Sequence, residues 1–164
     1  MNDAAEAYLS VQRLQSAYAD ISTRHAFEEM TSILTPDACV SFDTRSGKLF
    51  EIEGAAEFAA FGAKMTAGFA FYEYIPLNFV VTIDPGGTAH GRTYSLEVAE
   101  DAQSREWIEF YGVYDDEYVI FEGTWRFSRR QYRTYGRRTA GRLAAFGLSS
   151  SGNREDKDGH AGRE

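Results

Sequence analysis

Tyr8, Val11, Leu14, Tyr18 and Ile21 recur at intervals of three and four, so residues 3 to 22 are predicted to form an amphipathic helix. Ser22 or Thr23 is placed to cap a second helix carrying Phe27, Met30, Ile33 and Leu34 on one face, and Thr35-Pro36-Asp37 should stop it. Cys39 to Asp43 and Leu49 to Ile52 have the texture of two short strands joined by the turn Arg45-Ser46-Gly47-Lys48. Phe58, Phe61 and Met65 return to helical spacing, which predicts a third helix from about Gly54 to Gly68. From Phe69 the pattern becomes aromatic and β-branched. Strands are expected over Phe69 to Ile83, Thr88 to Val98, Trp107 to Phe121 and Thr124 to Tyr135, with turns at Asp84-Pro85-Gly86-Gly87 and Glu122-Gly123. Pro76 implies a bulge or an edge position in the first of them.

Helices first and long strands afterwards define an α+β domain, with three N-terminal helices packed on one face of a curved, mostly antiparallel sheet. The 164 residues suit one domain, assigned to 1–146, and the Ser/Gly-rich, mixed-charge stretch 147–164 has the composition of a disordered tail. Aromatic residues make up 15% of the chain, which requires a packed interior. A concavity left by the curved sheet would be lined by such rings.

Charge changes the picture in two ways. A net charge of −8 argues against nucleic acid as a partner. The basic residues nevertheless concentrate in Arg126, Arg129, Arg130, Arg133, Arg137, Arg138 and Arg142, directly after an acid-rich stretch. Pairing Phe121 with Thr124 would set Asp115 opposite Arg130 and Asp116 opposite Arg129, so the arginines are expected to form cross-strand pairs on a solvated face. No apolar run approaches the ~20 residues of a membrane helix, and the start Met1-Asn2-Asp3 lacks the basic and apolar regions of a signal peptide, so a cytoplasmic location is expected. The single cysteine, Cys39, is expected to be a buried, inert side chain. His25, His90 and His160 have no metal-ligand spacing, so no metal is expected.

Four segments resemble the SnoaL-like branch of the nuclear transport factor 2-like superfamily. They are Leu14-Gln15-Ser16-Ala17-Tyr18-Ala19-Asp20 with Leu34-Thr35-Pro36-Asp37-Ala38, then Glu53-Gly54-Ala55-Ala56-Glu57-Phe58, Ala89-His90-Gly91-Arg92-Thr93-Tyr94, and Tyr111 to Tyr118 with Gly123-Thr124-Trp125-Arg126-Phe127. The resemblance implies a cone: a curved sheet around a long helix, with a pocket opening inward. Its enzymes include scytalone and bile acid dehydratases, ketosteroid isomerase and polyketide cyclases, and other members are non-catalytic binding domains. Dehydratase-type relatives pair an Asp after the first helix with a His on the first long strand and often add a Tyr from the first helix. Tyr18 matches that tyrosine, whereas the Asp position is Thr23 and the His position, four before Asn78, is Tyr74.

The candidate catalytic groups are therefore Tyr18 and Tyr74, to polarise oxygen, and Glu109 or His25 as base. Alternation on the third long strand puts Trp107, Glu109, Tyr111 and Val113 on one face and Ile108, Phe110, Gly112 and Tyr114 on the other. If the first set faces inward, Glu109 becomes a buried carboxylate suited to proton transfer. If the second does, Glu109 faces solvent and pairs with an arginine. The same alternation sets His90 opposite the small residues Ala89, Gly91 and Thr93. Thr23, Asn78, Trp107, Tyr111, Tyr114 and Phe58 are candidate ligand contacts. The expected activity is a cofactor-independent lyase or isomerase reaction (dehydration, proton transfer or cyclisation) on a hydrophobic oxygenated ring compound such as a polyketide, steroid or terpenoid. The alternative is a non-catalytic small-molecule-binding or accessory domain. A homodimer is expected from the resemblance.

Overall fold

A computed structural model describes residues 3–148. The first helix, α1 (Asp3–Arg24), turns Val11, Leu14, Gln15, Tyr18, Ile21 and Ser22 inward, at the spacing its apolar positions predict. The second helix is only a 3-10 turn, Phe27–Ser32. Phe27, Met30 and Ile33 are buried, but Leu34-Thr35-Pro36-Asp37 already belongs to a strand, β1 (Leu34–Asp43). Pro36 therefore does not stop a helix. It sits within β1, and Phe127 donates its backbone N–H to Ile33 at the strand's start.

The chain continues through β2 (Leu49–Glu53), α2 (Ala55–Thr66), β3 (Phe69–Asp84), β4 (Thr88–Asp101), β5 (Trp107–Phe121), β6 (Thr124–Thr139) and β7 (Arg142–Ala145). The spatial order is β2-β1-β6-β5-β4-β3, with β7 added beside β6. Only the β1–β6 pair is parallel. The result is an open, curled seven-stranded sheet whose concave face is filled by α1, the 3-10 turn and α2: the α+β cone. β3 is an edge strand, and its register slips between Pro76 and Phe79, as a proline without an N–H requires. β7 follows the tight turn Ala140-Gly141, both at positive φ, and extends the hairpin beyond the end expected for β6. Most of the assigned tail, and His160 with it, lies outside the described residues.

Two irregularities in β6 decide what faces inward. Phe121 pairs with Thr124 as expected, but Tyr118 pairs with Phe127 and Glu117 with Arg129, leaving Ser128 as an extra residue. Ser128 donates its hydroxyl to the Glu117 carbonyl. The bulge moves the pairing by one, so Asp116 rather than Asp115 faces Arg130. A one-residue slip exchanges the faces of a strand. Arg130 consequently points into the core, where it is fully buried, and the expectation of a solvated arginine face fails at that residue. Several other arginines do pair on the outside: Arg133 and Arg92 with Asp115, Arg129 with Glu117 and Arg138 with Glu109. A second slip, between Tyr111 and Gly112, leaves Tyr135 as the extra residue.

Cys39 is exposed, not buried. Ala38, Val40 and Phe42 take the inward positions of β1, and strict alternation leaves Cys39 on the outer face beside Arg129 and Glu53.

Candidate active site

The interior of the cone holds two polar arrangements. Deep in the core, Arg130 donates from Nε to Asp116 Oδ1 at 2.8 Å and from Nη2 to Asp116 Oδ2 at 3.2 Å. Gln15 Nε2 and the Tyr118 hydroxyl also donate to Asp116 Oδ2, at 2.8 and 3.2 Å. The guanidinium lies 3.9 Å from the ring centre of Tyr18 and 4.2 Å from those of Tyr114 and Phe127. A buried cation is tolerable there because a bidentate carboxylate and three aromatic faces replace its water.

The second arrangement lines a cavity of about 120 Å³. Its walls come from Tyr18 and Ser22 of α1, Phe27 of the 3-10 turn, Phe58, Phe61, Gly62, Met65 and Thr66 of α2, and Phe42 of β1, with Thr44 just beyond it. The sheet adds Phe69 and Tyr72 of β3, Glu97 of β4, Phe110 and Tyr114 of β5, and Tyr132 and Thr134 of β6. Met65, 44% exposed, marks the rim.

Glu97 is the acidic side chain in this lining, and no basic side chain joins it. The Tyr72 hydroxyl donates to Glu97 Oε2 at 2.9 Å, while Oε1 is buried with no hydrogen-bond partner. Burial pushes the Glu97 carboxyl up to about 7, against the opposing pull of the Tyr72 and Tyr132 phenols and the more distant Arg130 charge. Thr134 Oγ1 donates to the Tyr132 hydroxyl at 3.2 Å, which leaves that phenol's own hydrogen for the carboxylate or a ligand. Tyr132 lies flat on β5 because Gly112 has no side chain. A Cβ there would stand 2.3 Å from Tyr132 Cε2 and 2.7 Å from Ser95 Oγ.

Tyr18 and Tyr114 form a hydroxyl pair 3.4 Å apart in the same wall. Burial raises both phenols, and the Arg130 charge offsets part of the rise. One of the two must donate to the other, leaving one phenolic hydrogen free. Tyr74 packs edge-on against the Tyr18 ring at 5.1 Å, and its buried hydroxyl has no partner.

The sequence candidates divide accordingly. Tyr18, Tyr114 and Phe58 line the cavity, and Tyr74 lies directly behind Tyr18. Thr23 and Tyr74, which the resemblance sets at the family's Asp and His positions, are brought together: the Tyr74 N–H donates to Thr23 Oγ1 at 3.1 Å, tying the end of α1 to β3. Thr23 is otherwise exposed. His25 is exposed too, with its ring edge-on to Phe27 at 5.9 Å and Tyr72 at 5.8 Å, outside two walls of the cavity. Asn78 is exposed within the β3 irregularity.

Glu109, Trp107 and Tyr111 are on the outer face. Alternation on β5 resolves with Phe110, Gly112 and Tyr114 inward, so Glu109 accepts from the Tyr111 hydroxyl at 2.7 Å and stands 3.7 Å from Arg138. Trp107 is half exposed and stacks on Phe71. His90 also points outward, onto Asp84.

The residues missed by the sequence reading are Glu97, Tyr72, Tyr132 and the Arg130–Asp116 pair. A signal for Glu97 was present. The parity that turns His90 outward and Ala89, Gly91 and Thr93 inward carries Ser95 and Glu97 inward as well.

A curled α+β sheet closed over helices, with its cavity between them, is the cystatin-like cone of the nuclear transport factor 2-like proteins. Within that class the chain belongs to the SnoaL-like domain family, which matches residues 3–131. It is 27% identical over 124 residues to the uncharacterized protein Rv2910c of Mycobacterium tuberculosis, covering 74% of this chain and 81% of that one. Among solved structures it is similar to a provisionally named scytalone dehydratase from Novosphingobium aromaticivorans, with a TM-score of 0.76 and 20% identity, over 93% of this chain and 100% of the other. It is also similar to the hexachlorocyclohexane dehydrochlorinase LinA-type3 of Novosphingobium barchaimii, with a TM-score of 0.70 and 16% identity, over 82% and 90% of the two chains. At these identities the structural likeness concerns the fold.

Among the described residues no helix is long and apolar enough to cross a membrane, and no group of three His, Cys, Asp or Glu side chains could hold a metal ion.

Proposed function

We propose that the protein is a lyase or isomerase that moves a proton on a hydrophobic, oxygenated ring compound, with Glu97 as the general base. The observation that carries this reading is a carboxylate buried in an aromatic cavity with one bare oxygen and no cation beside it. Glu97 Oε1 takes a proton from a carbon next to a substrate carbonyl. The electron pair of the broken C–H bond moves onto the carbonyl oxygen, where the free phenolic hydrogen of the Tyr18–Tyr114 pair stabilises it. The protonated Glu97 then returns the proton. Delivery to another carbon completes an isomerisation, and delivery to a departing hydroxyl releases water and completes a dehydration. Burial keeps the carboxyl near neutrality, where a general base is most effective. The activities named for two similar folds, a dehydratase and a dehydrochlorinase, are eliminations and agree with such a step.

The test is deuterium exchange at the carbon next to the carbonyl of simple cyclic ketones in heavy water, followed by NMR. Wild type should accelerate exchange, and Glu97→Gln should lose about 10²–10⁴-fold of that acceleration. Equal rates in the two proteins would remove Glu97 from the mechanism. Saturable ketone binding without exchange by wild type would favour the non-catalytic binding domain, the reading to which Thr23 and Tyr74 at the Asp and His positions lend weight.

A further inference from the structure

The same cavity also limits what can enter it. At about 120 Å³ it is close to the ~150 Å³ of an engineered protein cavity that accommodates benzene, and well below the ~300–1,000 Å³ of pockets for drug-sized ligands. The restriction is built in from three sides. Phe42, Phe58 and Phe61 form one wall, with Phe42 stacked on both of the others at 6.0 and 5.4 Å. The Tyr132 ring, lying on Gly112, adjoins that wall with its centre 5.4 Å from that of Phe42, and Gly62 admits the Phe27 ring so closely that a Cβ there would stand 2.6 Å from it. A space of this size matches a single ring and is small for fused ones.

Charge imposes a second limit. The lining contains no arginine, lysine or histidine. The nearest buried cation, Arg130, lies behind the Tyr18 and Tyr114 rings and is neutralised by Asp116. At the mouth, Arg137 packs over Phe110 at 5.6 Å and donates to the Thr44 carbonyl at 2.9 Å, outside the lining. An anion entering would lose its water, gain no counter-ion and meet Glu97. A third observation sets the polarity of the guest. Glu97 Oε1 is a buried acceptor that no hydrogen bond satisfies, so a hydrogen supplied by the ligand, in competition with the neighbouring Tyr132 phenol, would satisfy it.

We infer that the site takes an uncharged, single-ring compound that presents an O–H or an acidic C–H to Glu97. The inference rests on the reading of this cavity as the functional site and narrows its substrate class, excluding fused polyketide and steroid skeletons. It is tested by binding alone, so it stands or falls separately from the proton-transfer chemistry.

The experiment is calorimetric titration of the full chain near neutral pH with phenol, benzoate and 2-naphthol, which share a ring and differ in charge or size. Phenol should bind saturably and at least about tenfold more tightly than benzoate or 2-naphthol. The order of phenol and 2-naphthol runs against hydrophobicity, which by itself favours the larger ring. Phe61→Ala, or Met65→Ala at the rim should the first variant fold poorly, should raise the affinity for 2-naphthol by at least about tenfold. Glu97→Gln should keep phenol binding while narrowing the discrimination against benzoate. Three results would overturn the proposal: no saturable phenol binding, 2-naphthol binding wild type more tightly than phenol, or benzoate matching phenol. If Arg137→Met then abolished the benzoate binding, the site would be assigned to a ring acid anchored at the mouth.

Discussion

Asp116 and Glu97 are both carboxylates on the inner face of the sheet, and both lie in the aromatic interior of the cone. Asp116 has a bidentate arginine, an amide and a phenol around it. Glu97 has Tyr72 at 2.9 Å, the influence of the Tyr132 phenol, and a bare second oxygen. A buried charge with a matched cation is neutralised where it stands and serves the architecture. A buried carboxyl with only phenols for company lies near the balance between its two forms, which is the property proton transfer needs. Burial alone therefore does not single out the chemical group; the missing counter-ion does.

The comparison breaks most visibly at the core pair. Arg130→Met leaves Asp116 buried and unpaired, and should lower the unfolding free energy by about 3–5 kcal/mol in urea denaturation. Arg130→Met combined with Asp116→Leu should recover at least half of that loss, because an apolar pair of similar volume removes both desolvation penalties. A double variant no more stable than the single one would mean that the pair contributes more than mutual neutralisation.

Next in size is the pH dependence of Glu97. Its folded carboxyl is raised from the ordinary 4.5 to about 7, so the folded state holds its proton over a range in which the unfolded chain has lost it. The stability linked to this group is therefore complete below about pH 4.5 and lost as the pH rises towards 7. Stability curves of wild type and Glu97→Gln should diverge by about 3 kcal/mol between acid and mildly alkaline solution, the wild type losing more. Parallel curves would show that Glu97 is ionised throughout, like a paired carboxylate.

The smallest effect is expected on the outer face. Glu109→Gln alters an exposed-face bond to Tyr111 and a long ion pair to Arg138 and should change stability by no more than about 0.5 kcal/mol, with deuterium exchange unchanged. A large loss of exchange in this variant would return the catalytic assignment to Glu109 and away from Glu97.

Much of this molecule follows from local pattern. The spacing of Val11, Leu14, Tyr18 and Ile21 marks the inward stripe of α1, and the turn at Glu122-Gly123 sets the β5–β6 hairpin, because both depend on neighbours a few residues away. Tyr18 and Phe58 were legible as inward residues for the same reason, whereas Tyr114 stayed tied to the undecided face of its strand. The short 3-10 turn was not: Leu34 leaves helical geometry to pair with Phe127, a partner 93 positions along the chain.

What the sequence determined by itself is the set of elements and, on each strand, the two alternating classes of residue. Alternation groups Glu109 with Tyr111 and Glu97 with Ser95 whatever the fold, but it carries no sign. Only the tertiary structure assigned the sign, because curvature and helix packing choose which class is covered. It also broke the alternation at Ser128, where one unpaired residue turned Arg130 from the solvent side to the core beside Asp116. Pairing across strands is a long-range property, and a slip of one residue there decides whether a charge is hydrated or buried.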